Sequence, residues 1–285
     1  MEDGGVRRWV VDISKWNPSE DEFCSYLSVL PPHEHPTITR FIKCEDRKRA
    51  LVSRLLQYSL VHEVFGIPFE RIIINRTIEG KPYLQNTKSL AFPNFNFSAS
   101  HHGDYVGIAS EPVCLVGLDI ISNSIPTQET ALEFINNFSS YFTALEWKNI
   151  TEAENSDEAL AAFYRCWSLK EAFVKALGTG LGYGLQRLEF RHTNWTDISV
   201  FIDGEESRDW RFSLFEIDDR HWASIAQGHP KTAVQSFKST LLKADFEREH
   251  HLDPFLLPDA GGFILQSVDQ LVAVSKQEKL GRLAP

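Results

Sequence analysis

The stretch NFNFSASHHGDYVGIASEPVCLVGLDII, residues Asn94 to Ile121, decides how the fold is read. Phe95–Ser100, Tyr105–Ser110 and Cys114–Ile121 read as strands, joined by turns at His102-Gly103-Asp104 and Glu111-Pro112-Val113. Their spacing predicts an antiparallel meander. Upstream, Glu45 to Val64 reads as a long helix, because Leu51, Leu55, Leu56, Leu60 and Val64 recur at helical spacing and Gly66 with Pro68 ends the run. Val6–Ile13 reads as a strand and Pro18–Val29 as a short helix, while Arg71–Thr77 reads as a strand entering a Glu79-Gly80-Lys81-Pro82 turn. Downstream, helices are expected at Glu129–Asn137, Thr143–Ile150 and Asp157–Leu177, with Thr143 and Glu146 as a capping box and Gly178 as the stop. Leu188–Arg191, Ile198–Ile202, Trp210–Glu216 and Trp222–Ala226 then read as strands. A helix followed by strands occurs twice, so the expected fold class is α+β, in two halves. Residues 229–285 are less regular, and Asp253–Gly262 reads as a loop.

The 285 residues carry 29 Lys+Arg against 39 Asp+Glu, a formal charge of −10 that argues against a general nucleic-acid binder. Disorder over most of the length is excluded by 20 Phe and 7 Trp that need burying. No apolar run approaches a membrane span, and nothing near Met1 reads as a signal peptide. Cys24, Cys44, Cys114 and Cys166 form no CxxC pair, so they suggest a reducing compartment rather than a zinc site or disulfide framework. The expected location is the cytosol, with the mitochondrial matrix as the alternative.

Four constellations could carry chemistry. Glu171 and Lys175 share one helix face at the border of an apolar stripe. They read either as a solvated pair worth roughly 0.3 kcal/mol or as a carboxylate held in a cleft to take a metal or a proton. Asp119 interrupts an apolar strand, where an uncompensated carboxylate is expensive, and it either initiates a turn or binds a base or a hard cation. Ser98-Ala99-Ser100-His101 is a polar strand end able to meet a phosphate, although ordinary structure gives such ends too. Gly178 to Gly184 fails the GxGxxG pattern and reads as a flexible helix exit.

The order of these pieces is more specific than any one of them. Arg76, Gly80-Lys81-Pro82, Ser100-His101, Gly117-x-Asp119 and Trp167-x-x-Lys170-Glu171-x-x-x-Lys175 follow one another along the chain. This set resembles the 4'-phosphopantetheinyl transferases of the large, monomeric surfactin-synthetase-activating type, and among them the eukaryotic aminoadipate-semialdehyde dehydrogenase-phosphopantetheinyl transferase branch. The resemblance implies a pseudo-dimer of two similar α+β halves, each an antiparallel sheet packed with a long helix, with the active site in the cleft between them. It places an N-terminal half at 1–114, a C-terminal half at 115–228 and an extension at 229–285.

It further implies Mg²⁺-dependent transfer of 4'-phosphopantetheine from coenzyme A to a serine of an apo carrier protein, releasing adenosine 3',5'-bisphosphate. Asp119 and Glu171 would be the metal ligands, Glu171 or a water it orients also the base for the carrier serine, and Lys175 a phosphate contact. His101 with Ser98, Ala99 and Ser100 would meet the adenosine-bisphosphate end, as would Arg76 and Lys81. Gly80 and Pro82 would shape that turn, and Arg40 is a further phosphate contact. Bacterial members commonly carry a third acid where this chain has Ile121. A non-catalytic module binding coenzyme A or a carrier, and a Mg²⁺-dependent phosphohydrolase, are the competing functions. Fatty-acid acyl carrier proteins and an aminoadipate-reducing enzyme are both possible acceptors within the branch.

The charge is uneven. Arg40 to Arg54 holds six basic residues and two acids, +4, whereas Pro126 to Leu160 holds seven acids and one Lys, −6. An acidic carrier protein is expected to dock beside the Arg40–Arg54 patch.

Overall fold

A computed structural model describes residues 4–85, 92–125, 129–243 and 261–273. The N-terminal part runs β1 (Arg7–Asp12), α1 (Glu20–Leu27), α2 (His35–Thr39) and the 22-residue α3 (Cys44–Phe65). Ser19 and Glu22 close a capping box at the start of α1. Gly66 ends α3 in the left-handed region at φ 66°, a conformation that suits a residue without Cβ. A small hairpin, β2 (Ile74–Arg76) with β3 (Pro82–Leu84), precedes a second one, β4 (Asn96–His102) with β5 (Tyr105–Glu111).

The chain then crosses through β6 (Leu115–Ser122) into α4 (Ala131–Asn136), α5 (Ala144–Thr151) and the 22-residue α6 (Ser156–Leu177). The expected capping box of Thr143 with Glu146 starts α5, and Gly178 ends α6 at φ 81°. β7 (Leu188–Thr193), β8 (Thr196–Ile202) and β9 (Glu205–Ser207) form one sheet of their own. β10 (Trp210–Asp218), β11 (His221–Gly228) and the short α7 (Gln235–Lys238) follow. β12 (Ile264–Leu265) pairs in parallel with β1, and residues 268–273 are helical. Most of the loop expected at Asp253–Gly262 lies outside the described residues.

The mixed α+β class is as expected, but the meander is not. β5 lies between β1 and β4, whereas β6 pairs with β11 in a different sheet, ordered β10-β11-β6. The physical reason lies in the side chains of β4. Asn96 Oδ1 accepts from the N–H of Val116 at 2.9 Å, Ser98 Oγ from Leu118 at 3.0 Å, and Ser100 Oγ from Ile120 at 3.1 Å. Alternate polar side chains of β4 thus take the place of backbone partners along one edge of β6. Turned this way, β6 faces α6 instead of extending the first sheet.

Each long helix covers one sheet. α3 packs its Leu51, Leu55 and Val52 with Trp9, Phe97 and Ile108, and α6 packs Leu169, Phe173 and Ala176 with Leu115, Phe212 and Ala226. Between the sheets lie Val10, Ala109, Leu118, Ile120, Ala223 and Ile225. The layering is therefore helix, sheet, sheet, helix, and the edge where β4 meets β6 runs directly under both functional segments.

Candidate active site

Asp119 sits in β6 two residues after Gly117, so both face α6. The approach is very close: a Cβ on Gly117 would stand 1.9 Å from the carbonyl oxygen of Ala172. Ser168 of α6 is fully buried, and its hydroxyl donates to Ser224 Oγ at 2.6 Å across the same interface. Small residues thus draw helix and strand together until Lys175 reaches Asp119. The Lys175 ammonium donates to Asp119 Oδ1 at 2.6 Å and to Ser100 Oγ at 3.1 Å, and Ser100 in turn donates to Asp119 Oδ1 at 3.3 Å. Lys175 is therefore paired across the interface and not with Glu171 one turn back, so the solvated helix-face pair does not form.

Glu171 lies half-buried beside this cluster. Burial pushes its carboxyl pKa up, Lys175 works against that, and the charge of Asp119 adds to it. Asp119 is paired with the Lys175 ammonium, and Glu171 stands near enough to feel both charges. That donor set, hard oxygens with uncompensated negative charge, fits a small divalent cation that keeps water or phosphate as its other ligands. Among the described residues no group of three His, Cys, Asp or Glu could hold a metal. Ile121 is core, buried with Phe142 and Phe163.

A cleft of about 310 Å³ opens from Lys175 across the junction of the halves, lined among others by Arg76, Gly80, Pro82, Ser98, Ala99 and His101. Gly80 closes the β2–β3 turn at φ 95°, and its carbonyl accepts from Arg76 Nη1 at 2.8 Å. The His101 ring reaches solvent there; partial desolvation, then the cations of Arg49 and Lys175, lower its pKa. Lys81 is placed differently from a surface phosphate ligand. Its ammonium is buried under the cleft and donates to the carbonyls of Val116 at 2.6 Å and Lys175 at 2.7 Å. Burial and the charge of Lys175 push its pKa down to about 7. It ties β6 to α6 directly below the cluster. Arg40 does not join the cleft: it caps α2 and stacks on Phe41, 4.9 Å from the ring centre.

Residues 14–113 match the family described as 4'-phosphopantetheinyl transferase, N-terminal, and residues 115–226 match the 4'-phosphopantetheinyl transferase superfamily. The L-aminoadipate-semialdehyde dehydrogenase-phosphopantetheinyl transferase of Homo sapiens is 38% identical over 231 residues, 78% of this chain and 75% of that one. The chain belongs to the 4'-phosphopantetheinyl transferase superfamily. The protein of the same name from Xenopus laevis is 37% identical, covering 79% of this chain and 76% of its own. A phosphopantetheinyl transferase of a Thraustochytrium strain is 32% identical, covering 79% of each.

Several residues of this transferase's cleft escaped the sequence reading. Ser53 and Gln57 line it from α3, and Gly178 and Gly180 line it from the exit of α6. Ser53 and Gln57 are four apart beside the leucines of the buried face, a polar pair on an apolar stripe. The glycine run is more than a flexible exit. Gly178 would meet Phe237 at 3.2 Å with a Cβ, and Gly180 would meet the carbonyl of Glu79 at 3.5 Å. Glycine there lets the α6 exit lie against the β2–β3 turn.

Proposed function

We propose that the protein transfers 4'-phosphopantetheine from coenzyme A to a serine hydroxyl of an apo carrier protein, leaving adenosine 3',5'-bisphosphate. The observation that carries this reading is the Asp119–Lys175–Ser100 cluster beside Glu171, at the head of a cleft lined by Arg76 and His101. Asp119 and Glu171 would hold Mg²⁺, which when bound neutralises the pyrophosphate and polarises the reacting phosphoryl group. Glu171, with its raised pKa, accepts the proton of the carrier serine as the serine oxygen attacks phosphorus. The anhydride bond breaks, and the bisphosphate departs with the electron pair. Lys175 supplies positive charge where that bond opens. Arg76 and His101 face the bisphosphate end, the Gly80–Pro82 turn shapes its floor, and Lys81 holds the floor from beneath.

The test is incubation with coenzyme A and a panel of apo carriers, read by intact mass. Wild type adds one phosphopantetheine group. Glu171→Ala that folds normally should lose transfer by at least about a hundredfold, and retained activity in that variant would remove Glu171 from the mechanism. Ile121 is buried with Phe142 and Phe163 and supplies no third carboxylate, so tight coenzyme A binding without transfer to any carrier in the panel would favour a non-catalytic module instead.

Carrier docking is narrower than the +4 patch implied. Arg47 donates to Glu20 at 2.9 Å, Arg49 to Asp46 at 2.8 Å, and the buried Lys48 to Asn17 Oδ1 at 3.2 Å. Arg40 and Lys43 are exposed and form no ion pair among the described residues. Charge reversal of Arg40 and Lys43 together should raise the carrier KM several-fold at low salt and less at high salt. A carrier KM that does not move would place docking elsewhere.

A further inference from the structure

A second cavity, about 610 Å³ against about 310 Å³ for the cleft, lies in the C-terminal half between α5, α6 and β7. That size suits a small organic ligand. Ile150, Ala153, Ala161, Ala162 and Phe190 give it an apolar wall. Arg165 enters it from α6 in an unusual setting. Its guanidinium carbon stands 5.3 Å from the ring centre of Trp195 and 4.8 Å from that of Trp222. Two indoles stack against the guanidinium, which leaves the edge of the fork for bonding. No hydrogen bond or ion pair to Arg165 occurs among the described residues, and the one carboxylate whose charge acts on it is that of Glu216. A planar, permanently charged fork with a free edge is the group that recognises a carboxylate bidentately.

Two neighbours support this. His192, which lines the cavity, accepts at Nδ1 from the backbone N–H of Trp195 at 3.1 Å, which leaves the hydrogen of the neutral ring on Nε2 as a second donor. Trp195 stacks on His192 with centroids 4.0 Å apart, and it does so from the left-handed region at φ 63°. That conformation costs a non-glycine residue about 1–2 kcal/mol, and here it places one indole against both His192 and Arg165. Glu146, Asp157 and Glu158 line the same cavity, Glu146 being paired with Lys170 at 2.8 Å, so a polyanion is disfavoured.

We infer that this cavity is a second binding site, for a small organic monocarboxylate with an aromatic or aliphatic body. The carboxylate pairs with the free edge of Arg165, and the body lies on the Ile150–Phe190 wall. Nothing in the transfer reaction uses these residues.

Calorimetric titration of the full chain with 1-naphthaleneacetate, its neutral isostere 1-naphthaleneacetamide and inorganic phosphate tests the assignment. The acid should bind one-to-one, with the amide and phosphate each at least about tenfold weaker, since a charge-assisted pair contributes about 1.5–3 kcal/mol. Arg165→Met should reduce binding of the acid to the level of the amide. Trp195→Gly removes the indole wall, so it should weaken acid binding in a variant whose fold is checked by circular dichroism. Absence of acid binding at millimolar concentration, equal binding of the amide, or phosphate binding as tight as the acid would each overturn the proposal.

Discussion

At the scale of single residues, the environment of Glu171 makes a prediction about pH. Its carboxyl titrates above the ordinary glutamate value because it is partly buried and stands near Asp119, while Lys175 opposes the shift. Only the ionised form can take the serine proton or hold Mg²⁺, so transfer should fall on acidification, and added Mg²⁺ should oppose that loss. Lys175→Gln removes the charge that favours ionisation, so its residual activity should show that loss displaced to higher pH. A pH–rate profile of both proteins decides it, and an unmoved profile would assign the proton to another group. Asp119, Glu171 and Lys175 are weak signals one by one, since a turn-initiating Asp and a solvated helix-face pair account for them, and only their order along the chain singles them out. Lys81 was read as a phosphate contact from the order of motifs alone. Nothing in Gly80-Lys81-Pro82 announces that its ammonium turns inward to two carbonyls. Ser53 and Gln57 were passed over because polar residues on a long helix are usually its solvent face.

Elements are fixed here by how closely β6 lies on α6. Gly117 permits the approach, and Ala172 and Ala176 are the residues it meets. Gly117→Ala would put a methyl group 2.5 Å from the Ala176 nitrogen as well as against Ala172, backbone atoms that cannot rotate away. The variant should lose about 1–3 kcal/mol or more of stability. It should also lose transfer activity, because Asp119 moves with the strand. Gly182→Ala, with nothing within 4 Å of its Cβ, serves as the comparison and should stay within about 0.5 kcal/mol. Equal melting temperatures for the two variants would contradict the close-packing account. The helices were legible to within a few residues, since leucine spacing, capping boxes and stop glycines are local signals. The partner of β6 was not. Short turns on either side suggested a meander, but Asn96, Ser98 and Ser100 satisfy its N–H groups through side chains, and a pairing made by side chains leaves no period in the strand itself.

For the whole molecule, the −10 total proved a poor guide, because much of the basic patch is spent on Glu20, Asp46 and Asn17. A buried acid where the two sheets meet has more consequence. Glu111 ends β5, is 2% exposed, and accepts from Gln227 Nε2 of β11 at 2.5 Å, while its second oxygen has no hydrogen-bond partner. Burial raises its pKa to about 7, against the pull of Gln227, Arg8 and Arg211. In the unfolded chain the same carboxyl titrates near 4.5. Between those two values the folded protein holds a proton that the unfolded chain has released, so stability falls as pH rises through this window and is level above it. The full difference is on the order of 3 kcal/mol. Glu111→Gln keeps a hydrogen-bonding amide at the junction and removes the titration. The stability of wild type relative to that variant should therefore decline by roughly 1–3 kcal/mol from pH 5 to pH 8, measured by urea unfolding. Parallel curves would mean that Glu111 is already ionised at pH 5 and that the junction tolerates its charge. A falling difference would show that the fold at this junction is most stable when the Glu111 carboxyl is neutral.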